Sequence, residues 1–167
     1  MEFILRPWEE RDILSAARYG NNEKIANNLR NAYPFPYTVK DAEDYIKSCI
    51  ETDGQKRILR AIEINGEACG SIGVFLQGDV YEKSAELGYW LGEPYWGRGI
   101  MTRAIREICG EAFARFDLAR IFAEPFAHNL GSRRALEKAG FSLEGVLKKS
   151  VYKNGGLFDS CMYALVR

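Results

Sequence analysis

The sequence predicts an α+β fold. It has one twisted mixed sheet, mostly antiparallel but with one parallel strand pair, and helices on both faces. Three observations carry this. Asn65-Gly66 separates two strand-like runs, Arg57–Ile64 and Ala68–Leu76; Asn-Gly is the strongest short hairpin signal, because both residues tolerate positive φ. Ser84 to Phe126 reads strand–helix–strand, a unit that closes as a right-handed parallel crossover. Asn154-Gly155-Gly156 then joins two last runs, Gly145–Lys153 and Leu157–Val166, into a closing hairpin.

The remaining elements follow in chain order. Trp8 to about Gly20 is a candidate helix, and a second, polar one follows through Asn22–Leu29. Tyr33-Pro34-Phe35-Pro36-Tyr37 is an ordered loop, because two prolines break any helix there. Thr38-Val39-Lys40-Asp41 has the capping pattern of a helix start, and Ala42, Tyr45, Ile46, Cys49 and Ile50 form the inner stripe behind it. Ser84–Leu91 is the third strand. The long helix runs from about Gly97 to Phe116, with Ile100, Ala104, Ile105, Ile108, Ala112, Phe113 and Phe116 at steps of three and four. Ala119–Phe126 is the next strand. A short helix from about Leu130 to Ala139 ends at Gly140 as a left-handed cap.

Composition narrows the function. The 167 residues suit a single domain spanning 1–167, and 47% hydrophobic with 28% charged residues is ordinary globular usage. Disordered, collagen-like and coiled-coil chains are excluded. Lys plus Arg, 23, equals Asp plus Glu, 23, so no direct nucleic-acid partner is expected. No apolar run approaches the roughly 18 residues of a membrane span, and Met1–Trp8 has neither the basic start nor the apolar stretch of a signal peptide. Cys49, Cys69, Cys109 and Cys161 lie far apart with no CxxC pair, and His128 is the single histidine. No metal site or disulfide framework is expected; four reduced, mostly buried thiols fit a cytoplasmic protein with no membrane partner.

The chemistry concentrates in Glu93-Pro94-Tyr95-Trp96-Gly97-Arg98-Gly99-Ile100-Met101-Thr102, between a strand and the long helix. Gly97 and Gly99 allow a tight turn and close approach of a ligand. The first amides of the helix are unpaired at the positive end of its dipole, which suits phosphate oxygens, and Arg98 adds charge. By itself the Gly-x-Gly pair is equally a plain turn before a helix. The Walker lysine is absent, and Thr102 leaves the G-x-G-x-x-G fingerprint incomplete.

The window widens on both sides. Ala85-Glu86-Leu87-Gly88-Tyr89-Trp90-Leu91 precedes the loop. Asn129-Leu130-Gly131-Ser132 and Ala135-Leu136-Glu137-Lys138-Ala139-Gly140-Phe141 follow about thirty residues later. With these motifs at this mutual spacing, the chain resembles the GNAT superfamily of acetyl-CoA-dependent N-acetyltransferases over nearly its whole length, most closely in Ala85–Phe141. Within it, the chain looks like the ribosomal-protein N-terminal acetyltransferase branch. One departure is Pro94, where the superfamily often has Gln or Arg.

The resemblance implies a GNAT-like fold, acetyl-CoA as cosubstrate, and direct attack by a primary amine without an acyl-enzyme, so the cysteines need no catalytic role. It implies that the amides of Arg98, Gly99, Ile100, Met101 and Thr102 hold the pyrophosphate. The backbone near Tyr89, Trp90 and Leu91 would polarise the thioester carbonyl and pair with pantetheine. It implies Glu86 as general base through a water, with Glu124 on the neighbouring strand as rival. In strand Ser84–Leu91, Ser84, Glu86, Gly88 and Trp90 share one face, and Ala85, Leu87, Tyr89 and Leu91 the other. Asn129 would bond the pantetheine, cap the short helix, or both. Ser132 would protonate the leaving thiolate or be a plain first-turn hydroxyl. His128 reads as structural or solvated. Arg133 and Arg134 would touch phosphates or solvate the helix; Tyr33–Tyr37, Tyr152 and Phe158 would line an acceptor groove or fill core. The acceptor is a protein N-terminal amine or a small-molecule amine, and a homodimer stays open. The alternative is a coenzyme A-binding sensor or partner module without catalysis; a flavin- or nicotinamide-binding protein is opposed by the incomplete fingerprint.

Overall fold

In the computed structural model, which describes residues 1–167, Asn65 and Gly66 take φ values of 51° and 82°. This left-handed pair turns β2 (Arg57–Ile64) back onto β3 (Glu67–Leu76). β4 (Ser84–Leu91) pairs antiparallel with β3. The crossover helix α4 (Ile100–Arg115) returns the chain to β5 (Arg120–Ala123), which runs parallel to β4. Asn154 and Gly155, at φ of 51° and 76°, then close β6 (Ser142–Lys153) against β7 (Gly156–Val166), and β7 also pairs with β5.

A strand absent from the sequence reading, β1 (Ile4–Arg6), adds an antiparallel edge to β2. Three residues are too few for a period-2 pattern to declare itself. The seven strands order as β1-β2-β3-β4-β5-β7-β6.

Strand alternation divides the core between two faces. Ile58, Ile62, Ile72, Val74, Ala85 and Leu87 pack with Ile100, Ala104, Ile105, Ile108 and Ala112 of α4. Leu59, Ala61 and Ala68 pack on the other face with α1 (Ile13–Gly20) and α3 (Val39–Thr52). Each fully buried isoleucine is worth about 1.5–3 kcal/mol. Thr38 caps α3 as the pattern predicts: its Oγ1 accepts from the Asp41 amide at 3.1 Å, and Asp41 Oδ2 accepts from the Thr38 amide at 2.8 Å.

Other boundaries differ from the sequence reading. The first helix is a 3-10 turn, Glu10–Asp12, leading into α1, and the second, α2, covers only Glu23–Ala26. α4 begins at Ile100 and not at Gly97, because Gly97 and Gly99 both sit at φ 73°, outside helical space. β5 stops at Ala123, three residues short of Phe126; Pro125 has no amide to give a ladder. The short helix α5 is Leu130–Lys138, and Phe141 N donates to Leu136 O at 3.0 Å beyond it, with Gly140 at φ 103°. No helix is long and apolar enough to cross a membrane.

Candidate active site

The parallel ladder between β4 and β5 covers only Ser84–Glu86 against Arg120–Phe122. Beyond it the two strands part, and a cleft of about 1450 Å³ opens at the split. Gly92 N donates to Cys69 O at 2.8 Å and Gln77 N to Ser84 O at 3.0 Å. In an antiparallel ladder such pairs alternate, so the even-numbered residues of β4 bond to β3. The main-chain groups of Tyr89 and Leu91 therefore face the split. Trp90 differs from the expectation here: its main chain pairs with Ser71 of β3. Its indole instead meets the Tyr33 ring edge-on at 6.1 Å. Glu86 and Trp90 line the cleft from the α1/α3 face, Tyr89 and Leu91 from the α4 face, so the cleft passes through the sheet.

At one end of the cleft lies the glycine loop. Glu93–Tyr95, with Pro94 inside, forms a 3-10 turn, and Trp96 Nε1 donates to Leu91 O at 2.7 Å. No intrachain acceptor takes the amides of Arg98, Gly99, Ile100, Met101 or Thr102; the first helical bond here is Arg103 N to Gly99 O at 3.3 Å. A Cβ on Gly97 or Gly99 would meet nothing within 4 Å, so the backbone is bare toward the cleft. Free donors, the positive end of α4, and the cleft-lining Arg98, Arg134 and Lys138 make this end fit a diphosphate. Pro94 lies outside the run of free amides, so the departure from the family pattern removes no donor.

Deeper in, Asn129 Oδ1 accepts from the Ser132 amide at 3.3 Å, capping α5. The capping role is thus filled by Asn129, which leaves the Ser132 hydroxyl for another partner. That partner is Tyr89: the two hydroxyl oxygens are 2.5 Å apart. Burial pushes the Tyr89 phenol up to about 12, against the pull of the Ser132 hydrogen bond, so it stays protonated at neutral pH. The family resemblance implies a role for the backbone of Tyr89 alone. The alternation that placed it opposite Glu86 was a signal, but its partner lies 43 residues away.

Glu86 faces the cleft and is bound by Arg30, whose Nη2 donates to Glu86 Oε2 at 2.7 Å. Glu124 also lines the cleft, with no hydrogen-bonding partner. His128 lies outside, edge-on to Phe158 at 5.3 Å. Arg133 donates to Tyr163 Oη at 3.1 Å and to Ala127 O at 3.0 Å. It braces the fold and does not line the cleft, whereas Arg134 does. Of the aromatic candidates, Tyr33, Tyr37 and Tyr152 line the cleft; Phe35 and Phe158 do not. All four cysteines are buried and unpaired, and burial pushes the Cys49 and Cys109 thiols up to about 12, which suits core residues and not nucleophiles. No group of three or more His, Cys, Asp or Glu side chains is placed to hold a metal ion.

A family model described as an acetyltransferase (GNAT) domain matches residues 2–142. Two curated relatives come from Bacillus subtilis (strain 168). The probable N-acetyltransferase YjcK is 43% identical over 84 residues, 50% of this chain and 46% of that protein. The putative ribosomal N-acetyltransferase YdaF is 34% identical over 103 residues, 62% of this chain and 56% of that protein. The chain thus spans about half the length of these relatives. Among solved structures, the microcin C7 self-immunity acetyltransferase MccE, in complex with acetyl-CoA and AMP, matches with a TM-score of 0.85 and 25% identity. That match covers 99% of this chain and 93% of the other.

Proposed function

The chain belongs to the GNAT acetyltransferase family, and from that premise we propose that it transfers an acetyl group from acetyl-CoA to a primary amine by direct attack on the thioester. One observation carries the reading: a run of five free main-chain amides, on bare glycine backbone, opens onto the same cleft as the Ser132–Tyr89 hydroxyl pair and Glu86. Such a cleft offers donors for a diphosphate at one end and acid–base groups at the other.

Bound acetyl-CoA supplies the activated acetyl group. The amides of Arg98–Thr102 take its diphosphate oxygens, with Arg98 and Arg134 adding charge. The β4 edge, at Tyr89 and at the amide of Leu91, whose own carbonyl is held by Trp96 Nε1, pairs with the pantetheine arm as a missing strand would, and aims an amide at the thioester carbonyl. Asn129 adds a side-chain contact to the arm while capping α5. Glu86 accepts the proton of the incoming ammonium, directly or through a water; such help is typically worth about 10²–10⁴-fold. Ser132 returns a proton to the departing sulfur, with Tyr89 behind it as the second hydroxyl of the pair. Holding both reactants across the split in the sheet supplies the proximity term.

The whole of 1–167 acts as one unit in this reading, since β7 of the closing hairpin completes the sheet beside β5. The acceptor is a protein N-terminal amine, as the ribosomal-protein branch uses, or a small-molecule amine, and the setting is the cytoplasm. The test is release of free coenzyme A thiol on mixing with acetyl-CoA and a panel of N-terminal peptides and small amines. Amine-dependent thiol release is expected; tight coenzyme A binding without turnover on any amine would favour a binding module.

A further inference from the structure

The acceptor end of the cleft carries an arrangement that the transfer chemistry does not require. Arg30 sits on the segment between α2 and α3 and reaches across to Glu86, 56 residues away in sequence. Its side chain is 69% exposed, against 22% for Glu86, so the pair is open to water and exchangeable. Lys153, at the end of β6, is only 8% exposed. Its Nζ donates to Leu29 O at 2.7 Å and Asn31 Oδ1 at 3.2 Å, the two residues that flank Arg30. No carboxylate pairs with it, and desolvation lowers its pKa. Next to it, Asn154 Nδ2 donates to Asn27 Oδ1 at 3.0 Å. The β6–β7 turn thus pins the Arg30 segment over the cleft, where Glu86 is the carboxylate that pairs with Arg30.

An acceptor ammonium that approaches Glu86 competes with the Arg30 guanidinium, which holds Oε2 of the carboxylate. A purely cationic amine brings a second positive charge against Arg30 and offers it no counter-charge. An amine that carries a carboxylate exchanges pair for pair: its ammonium takes Glu86, and its carboxylate takes the two-pronged Arg30 fork. Of the other cleft-lining carboxylates, Asp41 bonds Thr38 and Asp44 bonds Lys40; Glu124 offers a second seat for the ammonium and none for an anion. We propose that Arg30 selects the acceptor, and that the acceptor class is a primary amine with a carboxylate close to it. This deepens the transfer reading above and rests on it. The carboxylate comes from a free amino acid or from an acidic residue at a peptide N-terminus.

The experiment measures kcat/KM, and in parallel the calorimetric affinity of the coenzyme A-loaded protein, for five acceptors. These are aspartate, asparagine amide, a short peptide beginning with Asp, the same peptide beginning with Asn, and 1,4-diaminobutane, with rates corrected for the fraction of free amine. At least one carboxylate acceptor should exceed its neutral counterpart by about tenfold, and the diamine should be poorest. Preference within the free pair assigns an amino acid; preference within the peptide pair assigns an N-terminus. In Arg30→Gln the preference should fall below about threefold, with acetyl-CoA affinity and melting temperature held and diamine use rising. Equal use of acid and neutral forms, a wild-type preference for the diamine, or an unchanged preference in Arg30→Gln overturns the assignment. Selective binding without turnover refutes the transfer reading and keeps the Arg30 assignment; the absence of a preference in both binding and turnover overturns it.

Discussion

Gly99→Ala separates what the glycine loop costs the fold from what it does for a ligand. Gly99 sits at φ 73° with nothing within 4 Å of an added Cβ. The new methyl therefore clashes with no protein atom, and the penalty to folding is conformational, about 1–2 kcal/mol for a non-glycine residue in the left-handed region. For a chain of this size each kcal/mol lowers the melting temperature by roughly 2–4 °C, so the expected fall is about 2–8 °C. A matched control lies outside the cleft lining. Gly66, in the β2–β3 turn, has φ 82° and likewise nothing within 4 Å of its Cβ. Gly66→Ala should melt lower by a similar amount and bind acetyl-CoA like the parent. Gly99→Ala should in addition lose at least about tenfold in affinity, some 1.4 kcal/mol, because the methyl fills space a diphosphate needs. Differential scanning fluorimetry reads the first quantity and titration calorimetry the second. Equal acetyl-CoA affinity in the two variants would refute the cradle assignment.

Ser132→Ala and Tyr89→Phe should each lower kcat by about 10²-fold while acetyl-CoA affinity holds, and the double variant should be little worse than the worse single one, as for groups acting as a unit. Parallel losses of affinity would instead mean that the pair shapes the binding cleft. Glu86→Gln should cut turnover by about 10²–10⁴-fold near neutral pH and recover partly as pH rises past the α-amine range of about 7.7–8.0, where the acceptor deprotonates itself; undiminished turnover from pH 6 to 9 would move the base role to Glu124. Asp12→Asn tests the N-terminal packing. Burial raises the Asp12 carboxyl, but hydrogen bonds from Arg6 and the Glu9 amide outweigh it and hold its pKa below the usual value. A depressed carboxyl stabilises above its unfolded pKa, so the gap in stability between parent and variant should be full at pH 7. It should close as pH falls below about 3.9; denaturant midpoints across pH check this.

Much of the architecture was legible because its signals are local. Asn65-Gly66 and Asn154-Gly155 declare turns through positive φ, and Thr38 with Asp41 declares a helix start. The steps of three and four from Ile100 to Ala112 declare the face of α4 that packs on the sheet. Each signal involves residues within one turn or one strand of each other. β1 was missed because three residues are too few to show a strand period, whereas the early end of β5 had a local signal, Pro125, that the longer strand bounds passed over.

The same line divides the site. The chain alone specified the glycine loop, the alternation that sends Tyr89 and Glu86 to opposite faces of β4, and Asn129 as a cap, since backbone conformation and strand period are set by neighbouring residues. Only the tertiary structure decided that Ser132 meets the Tyr89 phenol, that Arg30 holds Glu86, and that Arg133 braces Tyr163 while Arg134 lines the cleft. Those contacts join residues 30 to 56 positions apart. They are set by where β4 and β5 split and by which loops the packed helices carry over the opening, and no local periodicity encodes either.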